Sequence, residues 1–254
     1  MISLSVIIIT FNEERNILRC LESINGIADE IIVVDSFSSD RTKEICLEKE
    51  VKFFEHPFKS FDEQKKIALS YSSNPYVLSL DADEALSPEL YKSILLVKQN
   101  WKFDGYTFNR LNNYCGTWIK HCWYPDKKLR LWDTRKGQWD TNIIHEKVIM
   151  QQGSAVAQLE GDLLHYSYYT LDDHLAQLRK FTEISAISEF NNKKKCNFFK
   201  LMYKPAEMFI RMYILKQGFR DGYSGYLIAI ISAFGVFMKY ARVRQLHSTK
   251  SLEQ

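Results

Sequence analysis

Short runs of apolar, β-branched residues alternate with helix-length amphipathic stretches through the first hundred positions of this chain. Residues 4–10 (LSVIIIT), 30–35 (EIIVVD), 52–56 and 76–80 (YVLSL) have the composition of strands. Between them, residues 13–24, 41–48 and 62–70 have helical patterning, and Ser87-Pro88-Glu89 reads as a cap and first turn opening a fourth helix. Asn12 and Asp40 stand where N-caps of the first two helices would be. Strands this apolar, separated by single helices, predict a parallel sheet covered on both faces and wound by right-handed crossovers.

In such a sheet, ligands bind beyond the carboxyl ends of the strands. Three polar clusters fall there: Thr10-Phe11-Asn12-Glu13, Asp35-Ser36-Phe37-Ser38-Ser39-Asp40 and Asp81-Ala82-Asp83-Glu84. The first loop, TFNEERN, contains no glycine, so the backbone cradle of a dinucleotide-binding fold is not expected, and no Walker loop occurs elsewhere. A diphosphate would have to be neutralised by a metal or by side-chain cations. Two carboxylates one residue apart at a strand's end can seat a hard divalent cation such as Mg²⁺ or Mn²⁺ that keeps positions open for phosphate oxygens.

Composition adds bounds. A chain of 254 residues, 46% hydrophobic and 26% charged, can bury a sizeable core. Five scattered cysteines without a CxxC pair read as reduced thiols of a cytosolic protein, with no zinc site. The N-terminus enters a strand at once and lacks the marks of a signal peptide. The net charge is +3, unevenly spread. Residues 191–254 hold 12 Lys and Arg against 3 Asp and Glu, leaving the rest of the chain mildly acidic. In this basic part, residues 198–215 are helical in pattern with lysines among Phe, Met and Tyr, and Tyr226–Met238 is free of charge but too short for a bilayer span. Such segments suit the interface of an anionic membrane. Residues 170–190 predict another helix, with Leu171, Leu175, Leu178, Phe181, Ile184 and Ile187 on one stripe.

The segments SVIIITFNEERNI, EIIVVDSFSSDRT and VLSLDADE, in that order and spacing, resemble the nucleotide-binding half of family 2 glycosyltransferases. The later GYTFNR, KKLRLW, Ile-His-Glu and Phe-x-Arg-x-Tyr-x₄-Gly-x-x-Asp-Gly segments are similar to a subgroup of bacterial enzymes adding glucose or heptose to the lipopolysaccharide inner core. The resemblance implies an α/β, GT-A fold: a Rossmann-like, mostly parallel sheet flanked by helices over residues 1–165, with a helical appendage over 166–254. It implies a UDP-sugar donor, with Thr10, Phe11, Glu13, Asp35 and Ser38 near the nucleoside, Lys65 near the nucleotide, Asp83 as main metal ligand, and Asp81 on ribose or metal-bound water. Arg130, alternating with apolar residues in KKLRLW as a strand would, is a candidate for a phosphate or an acidic acceptor, which a guanidinium matches bidentately. His165 is a candidate additional ligand. It also implies inversion by single displacement, which needs a general base; Glu146, with His145 beside it, is the first candidate and Asp140 its competitor. Aromatic residues crowd positions 101–139 and suit a sugar-binding groove as well as a core; residues 112–126 are the candidate acceptor lid. The implied acceptor is a bacterial glycolipid, lipopolysaccharide core or polysaccharide. The implied location is the cytoplasm, peripheral on the inner membrane through residues 191–244, with no nucleic-acid partner. The alternatives are a sugar nucleotidyltransferase, a non-catalytic carbohydrate-binding protein on the same fold, or the same chemistry with a GDP- or dTDP-sugar.

Overall fold

A computed structural model describes residues 1–140, 147–194 and 196–252. The chain divides into two compact units. The first comprises Met1–Leu111 and Asp126–Tyr166; the second comprises Asn112–Pro125 and Ser167–Gln254. The single break expected near residue 165 therefore omits one excursion, residues 112–125, which joins the second unit.

In the first unit, β1 (Leu4–Thr10), β2 (Glu30–Asp35), β3 (Lys52–Glu55) and β4 (Tyr76–Asp81) are parallel and lie in the order β3-β2-β1-β4. They alternate with α1 (Ile17–Ser23), α2 (Thr42–Glu48) and α3 (Phe61–Ser70), and α4 (Pro88–Gln99) follows the short β5 (Glu84–Leu86). β1 is buried along its whole length, as a strand covered on both faces should be. Val6 and Ile8 join a core with Ile17, Leu21, Leu90 and Ile94, while Ile7 and Ile9 face Ala68, Trp132 and Trp139 on the opposite side.

Beyond β4 the sheet continues through β8 (Asp126–Asp133), β6 (Gly105–Tyr114), β11 (Val156–Tyr168) and β5. The β4–β8, β8–β6 and β11–β5 pairings are antiparallel. β9 (Gly137–Trp139) and β10 (Val148–Met150) form a separate hairpin. This mixed α/β sheet flanked by helices is the GT-A arrangement that the resemblance implies.

One local expectation changes. Asn12 does not cap α1; it sits at φ 55° and α1 begins only at Ile17. Its amide donates to Ser38 Oγ (2.8 Å) and its Oδ1 accepts from the Ser39 amide (2.8 Å). The Glu13 amide donates to Thr42 Oγ1 and the Glu14 amide to Asp40 Oδ2. The loops after β1 and β2 are thereby stapled to each other, while Asp40 Oδ1 also accepts from the Thr42 amide that opens α2 (3.0 Å). Ser87 does cap α4, accepting from the Leu90 amide at 3.2 Å.

In the second unit, β7 (Thr117–Ile119) pairs with the last residues of β6. Three helices follow: α5 (Leu171–Asn191), α6 (Phe198–Ile210) and α7 (Gly222–Leu252), with a π-turn at Arg211–Leu215 and a 3₁₀ turn at Gly218–Asp221. Tyr114, Ile119, Cys122, Met212, Ile228 and Ala229 form its core. Asp221, with a side chain only 2% exposed, accepts from the Lys120, His121 and Cys122 amides and pairs with His121 Nδ1 at 2.7 Å. The Asp-Gly of the C-terminal motif is thus a clamp on the 112–125 excursion. The apolar stripe of α5 is not buried; the side chains α5 buries are His174, Thr182 and Ala186.

Candidate functional site

Strand register brings the first polar clusters to one rim. Thr10 stands opposite Asp35 across β1–β2, and Ile9 opposite Asp81 across β1–β4. The DADE turn is locked from within. Glu84, buried at 1% exposure, accepts from the Asp81 amide (2.9 Å) and lies 3.4 Å from Arg110, which also pairs with Asp126 at 2.9 Å. β11 returns beside β5 with His165 opposite Glu84, and the Tyr166 amide donates to the Asp83 carbonyl.

The two aspartates of this turn have different partners. Asp81 Oδ1 lies 3.0 Å from Lys65 Nζ, and its Oδ2 accepts from Arg130 at 3.1 Å. Burial alone would raise its pKa; the Lys65 and Arg130 charges outweigh that and hold it well below the usual carboxylate range. Both oxygens of Asp81 thus face cations, Lys65 and Arg130. Lys65 and Arg130 are buried, so neither is a solvated surface cation. Both also lie over the Trp139 ring, at 5.3 and 5.6 Å.

Asp83 instead meets His165, Oδ2 to Nε2 at 3.1 Å. Burial would lower the His165 pKa, but the Asp83 charge and hydrogen bond raise it. Glu13 belongs to the same electrostatic cluster. Its carboxyl is pushed up to about 7 by burial first and by the Asp83 charge next, against a hydrogen bond from Asn16. Crowded negative charge with a partly open aspartate and an imidazole is what an incoming cation relieves. The chain itself offers few ligands: among the described residues no group of three or more His, Cys, Asp or Glu side chains is disposed to hold a metal. Asp83 and His165 nevertheless fit an ion that takes its remaining ligands from water and substrate phosphates. Thr10 Oγ1 adds a second mark of a ligand site. It is buried without a hydrogen-bond partner among the described residues, a state that costs about 1–3 kcal/mol unless a ligand satisfies it.

The other expected residues separate. Phe11 is 56% exposed and Phe37, on the neighbouring loop, 55%. Asp35 is fully buried, and its two oxygens accept from the Ser38 amide and hydroxyl (2.7 and 2.5 Å). Asp35 and Ser38 thus build the turn. Asp140 follows Trp139 and is buried, its amide donating to the Lys147 carbonyl. His145 and Glu146 lie outside the described residues. Of the aromatic residues at 101–139, Tyr106, Phe108, Tyr114, Trp132 and Trp139 are core.

Sequence reasoning assigned Glu84 no role apart from its cluster, and it did not point to the Arg110–Asp126 pair or the Arg19–Tyr166 stack (3.7 Å). The Arg110–Asp126 pair follows from strand register, in which these two residues face each other. That register is invisible before the β6–β8 pairing is known.

The model of the family described as Glycosyl transferase family 2 matches residues 5–152. Lipopolysaccharide core biosynthesis glycosyltransferase LpsC of Rhizobium meliloti (strain 1021) is 28% identical over 260 aligned positions, covering 98% of this chain and 94% of the relative. An uncharacterized glycosyltransferase of Rickettsia typhi is 29% identical, covering 96% and 87%. Among solved structures, TarS of S. aureus aligns over 99% of this chain and 92% of its own, with 13% identity and a TM-score of 0.47.

Proposed function

Because this chain belongs to glycosyl transferase family 2, we propose that it transfers a hexose, with inversion and with a divalent metal, from a UDP-sugar to a bacterial glycolipid, lipopolysaccharide-core or polysaccharide acceptor. The observation that carries the reading is the Asp83–His165 pair at the strand ends, beside a Glu13 carboxyl pushed up to about 7 by burial and Asp83. The lipopolysaccharide-core role of a relative aligned over nearly the whole chain favours that acceptor class.

In this reading the exposed Phe11 ring packs against uracil, and Thr10 Oγ1 and Glu13 meet the nucleoside. Asp35 and Ser38 shape the loop that carries these contacts. Lys65 and Arg130, anchored on Asp81, supply fixed positive charge toward the diphosphate. Asp83, with His165, would hold Mg²⁺ or Mn²⁺. When bound there, the ion stabilises charge on the leaving diphosphate. A carboxylate removes the acceptor hydroxyl proton as the new C–O bond forms and the bond from the sugar to UDP breaks. Glu146 is the first candidate, with His145 orienting it, and Asp140 is the second. The acceptor side works at an anionic membrane surface through residues 191–244, on the cytoplasmic face of the inner membrane.

Calorimetric titration of UDP-sugars with and without Mn²⁺ tests the donor and the metal. Saturable binding that strengthens with Mn²⁺ is expected; binding indifferent to the metal, or absent for every UDP compound, would reject the proposal. Glu146→Gln should nearly abolish turnover while sparing UDP affinity, and retained turnover would move the base to Asp140.

A further inference from the structure

The helical unit carries its apolar residues on the outside. On α7, Tyr223, Tyr226, Ile230, Phe234 and Phe237 are all exposed, at i, i+3, i+7, i+11 and i+14, so they form one face. The opposite face holds the buried Ile228, Ala229, Ile231 and Val243. α6 buries none of its residues fully, and its Phe198 and Phe199 are 66% and 71% exposed. On α5, Phe181, Ile184 and Ile187 point outward while Thr182 and Ala186 are inside. Exposed apolar patches of this extent mark an interaction surface. Exposed Arg211, Lys216, Arg220 and Arg244 accompany them, in a segment where 12 basic residues face 3 acidic ones.

Resting on the membrane reading above, we infer that this surface lies in the plane of one leaflet of an anionic bilayer, that α5 is part of it, and that α7 does not cross. The charge pattern selects the occupant: apolar rings rimmed by cations match acyl chains beneath anionic headgroups. α7 is long and apolar enough to span by length and composition. Its charge-free stretch, however, lies beside α5. A Cβ on Gly235 would stand 2.5 Å from Leu178, Arg242 donates to the Arg179 carbonyl and Thr182 Oγ1, and Lys239 is 3.8 Å from Glu189. A crossing α7 would carry Arg179, Lys180, Glu183 and Glu189 of α5 into hydrocarbon, where charges are strongly disfavoured. An in-plane α7 keeps one face on its partners and the other in lipid, and lets those charges reach water.

The full chain is floated with vesicles of phosphatidylglycerol and phosphatidylethanolamine, and with phosphatidylcholine alone. It should float with the former only, and F181E/I184E should partition about 100-fold more weakly while keeping its melting temperature. L96E, exposed in the first unit, should float like the parent. A C-terminal peptide tag in a Gram-negative host should resist protease added to intact spheroplasts and be cut after lysis. No flotation of the parent would overturn the membrane reading itself. Undiminished flotation of F181E/I184E, or a tag cut in intact spheroplasts, would overturn only the in-plane assignment. A dimer in solution that does not float and that F181E/I184E dissociates would give the surface to a second copy of the chain and overturn both.

Discussion

The two units treat charge and apolar surface in opposite ways. In the first, ionic groups are drawn inside and paired: Lys65 and Arg130 on Asp81, Arg110 on Glu84 and Asp126, while strand side chains are buried on both faces of the sheet. In the second, the Asp221 and His174 side chains are buried beside an apolar core, and rows of Phe, Tyr, Ile and Leu face outward. Buried paired charges cost desolvation and give little net stability; their retention points to a site that needs fixed charge. Exposed apolar rows gain nothing in water; in the proposed membrane docking they would leave it. Each unit thus departs from the ordinary soluble pattern, and the two proposals rest on these departures.

The largest expected effect removes the open carboxylate. Asp83→Asn should lower turnover about 10³-fold, some 4 kcal/mol of transition-state stabilisation, with little change in unfolding by urea. Initial rates of UDP release measure it, and a loss below about tenfold would take Asp83 out of the metal's coordination. Next, Lys65→Met removes one cation from the half-buried Asp81 carboxylate and should cost about 3 kcal/mol of stability. The matching change in the second unit, Lys204→Met, breaks a solvent-facing pair with Glu207 and should not measurably move the melting temperature. Equal effects from the two would erase the contrast between buried and exposed charge.

A pH titration addresses the second unit. His174 is packed among Tyr114, Trp123 and Tyr168, its Nδ1 3.1 Å from the Tyr114 hydroxyl. Burial pushes its pKa down to about 4 from the ordinary 6.5. The unfolded chain therefore binds this proton more readily, so the stabilising contribution is whole above about pH 6.5 and is lost as pH falls toward 4. At pH 5 the loss should be about 2 kcal/mol. Urea unfolding at pH 7.5 and 5 should show that difference in the parent and a smaller one in His174→Gln; the same loss in both would acquit the histidine.

How much of this was legible in the sequence follows from which forces act locally. The parallel half-sheet was legible because each strand is a continuous apolar run with its own polar exit, and the DADE turn because it directly follows one. The partners of Asp81 were not. Lys65 comes from α3 and Arg130 from β8, and nothing in either segment announces convergence on one carboxylate. Asn12 reads as a cap until the loop after β2 offers its Ser38 hydroxyl and Ser39 amide. The α5 stripe has the periodicity of an amphipathic helix, yet periodicity cannot say whether the apolar face meets protein or lipid.

The smallest predicted effect tests the exposed rim of the first unit, where the rings of Phe11 and Phe37 stand in water. Phe11 is 56% exposed on a loop held by the Asn12–Ser38 and Asn12–Ser39 hydrogen bonds. A ring held in water by a stapled loop loses little conformational entropy when a base packs on it, so stacking should contribute about 1 kcal/mol. Phe11→Ala should then weaken UDP binding about fivefold, Phe11→Tyr should leave it nearly unchanged, and neither should alter flotation with vesicles, because the residue belongs to the first unit and not to the one proposed to meet lipid. If Phe11→Ala instead changed flotation and spared UDP affinity, the division of labour between the two units would be reversed at that position.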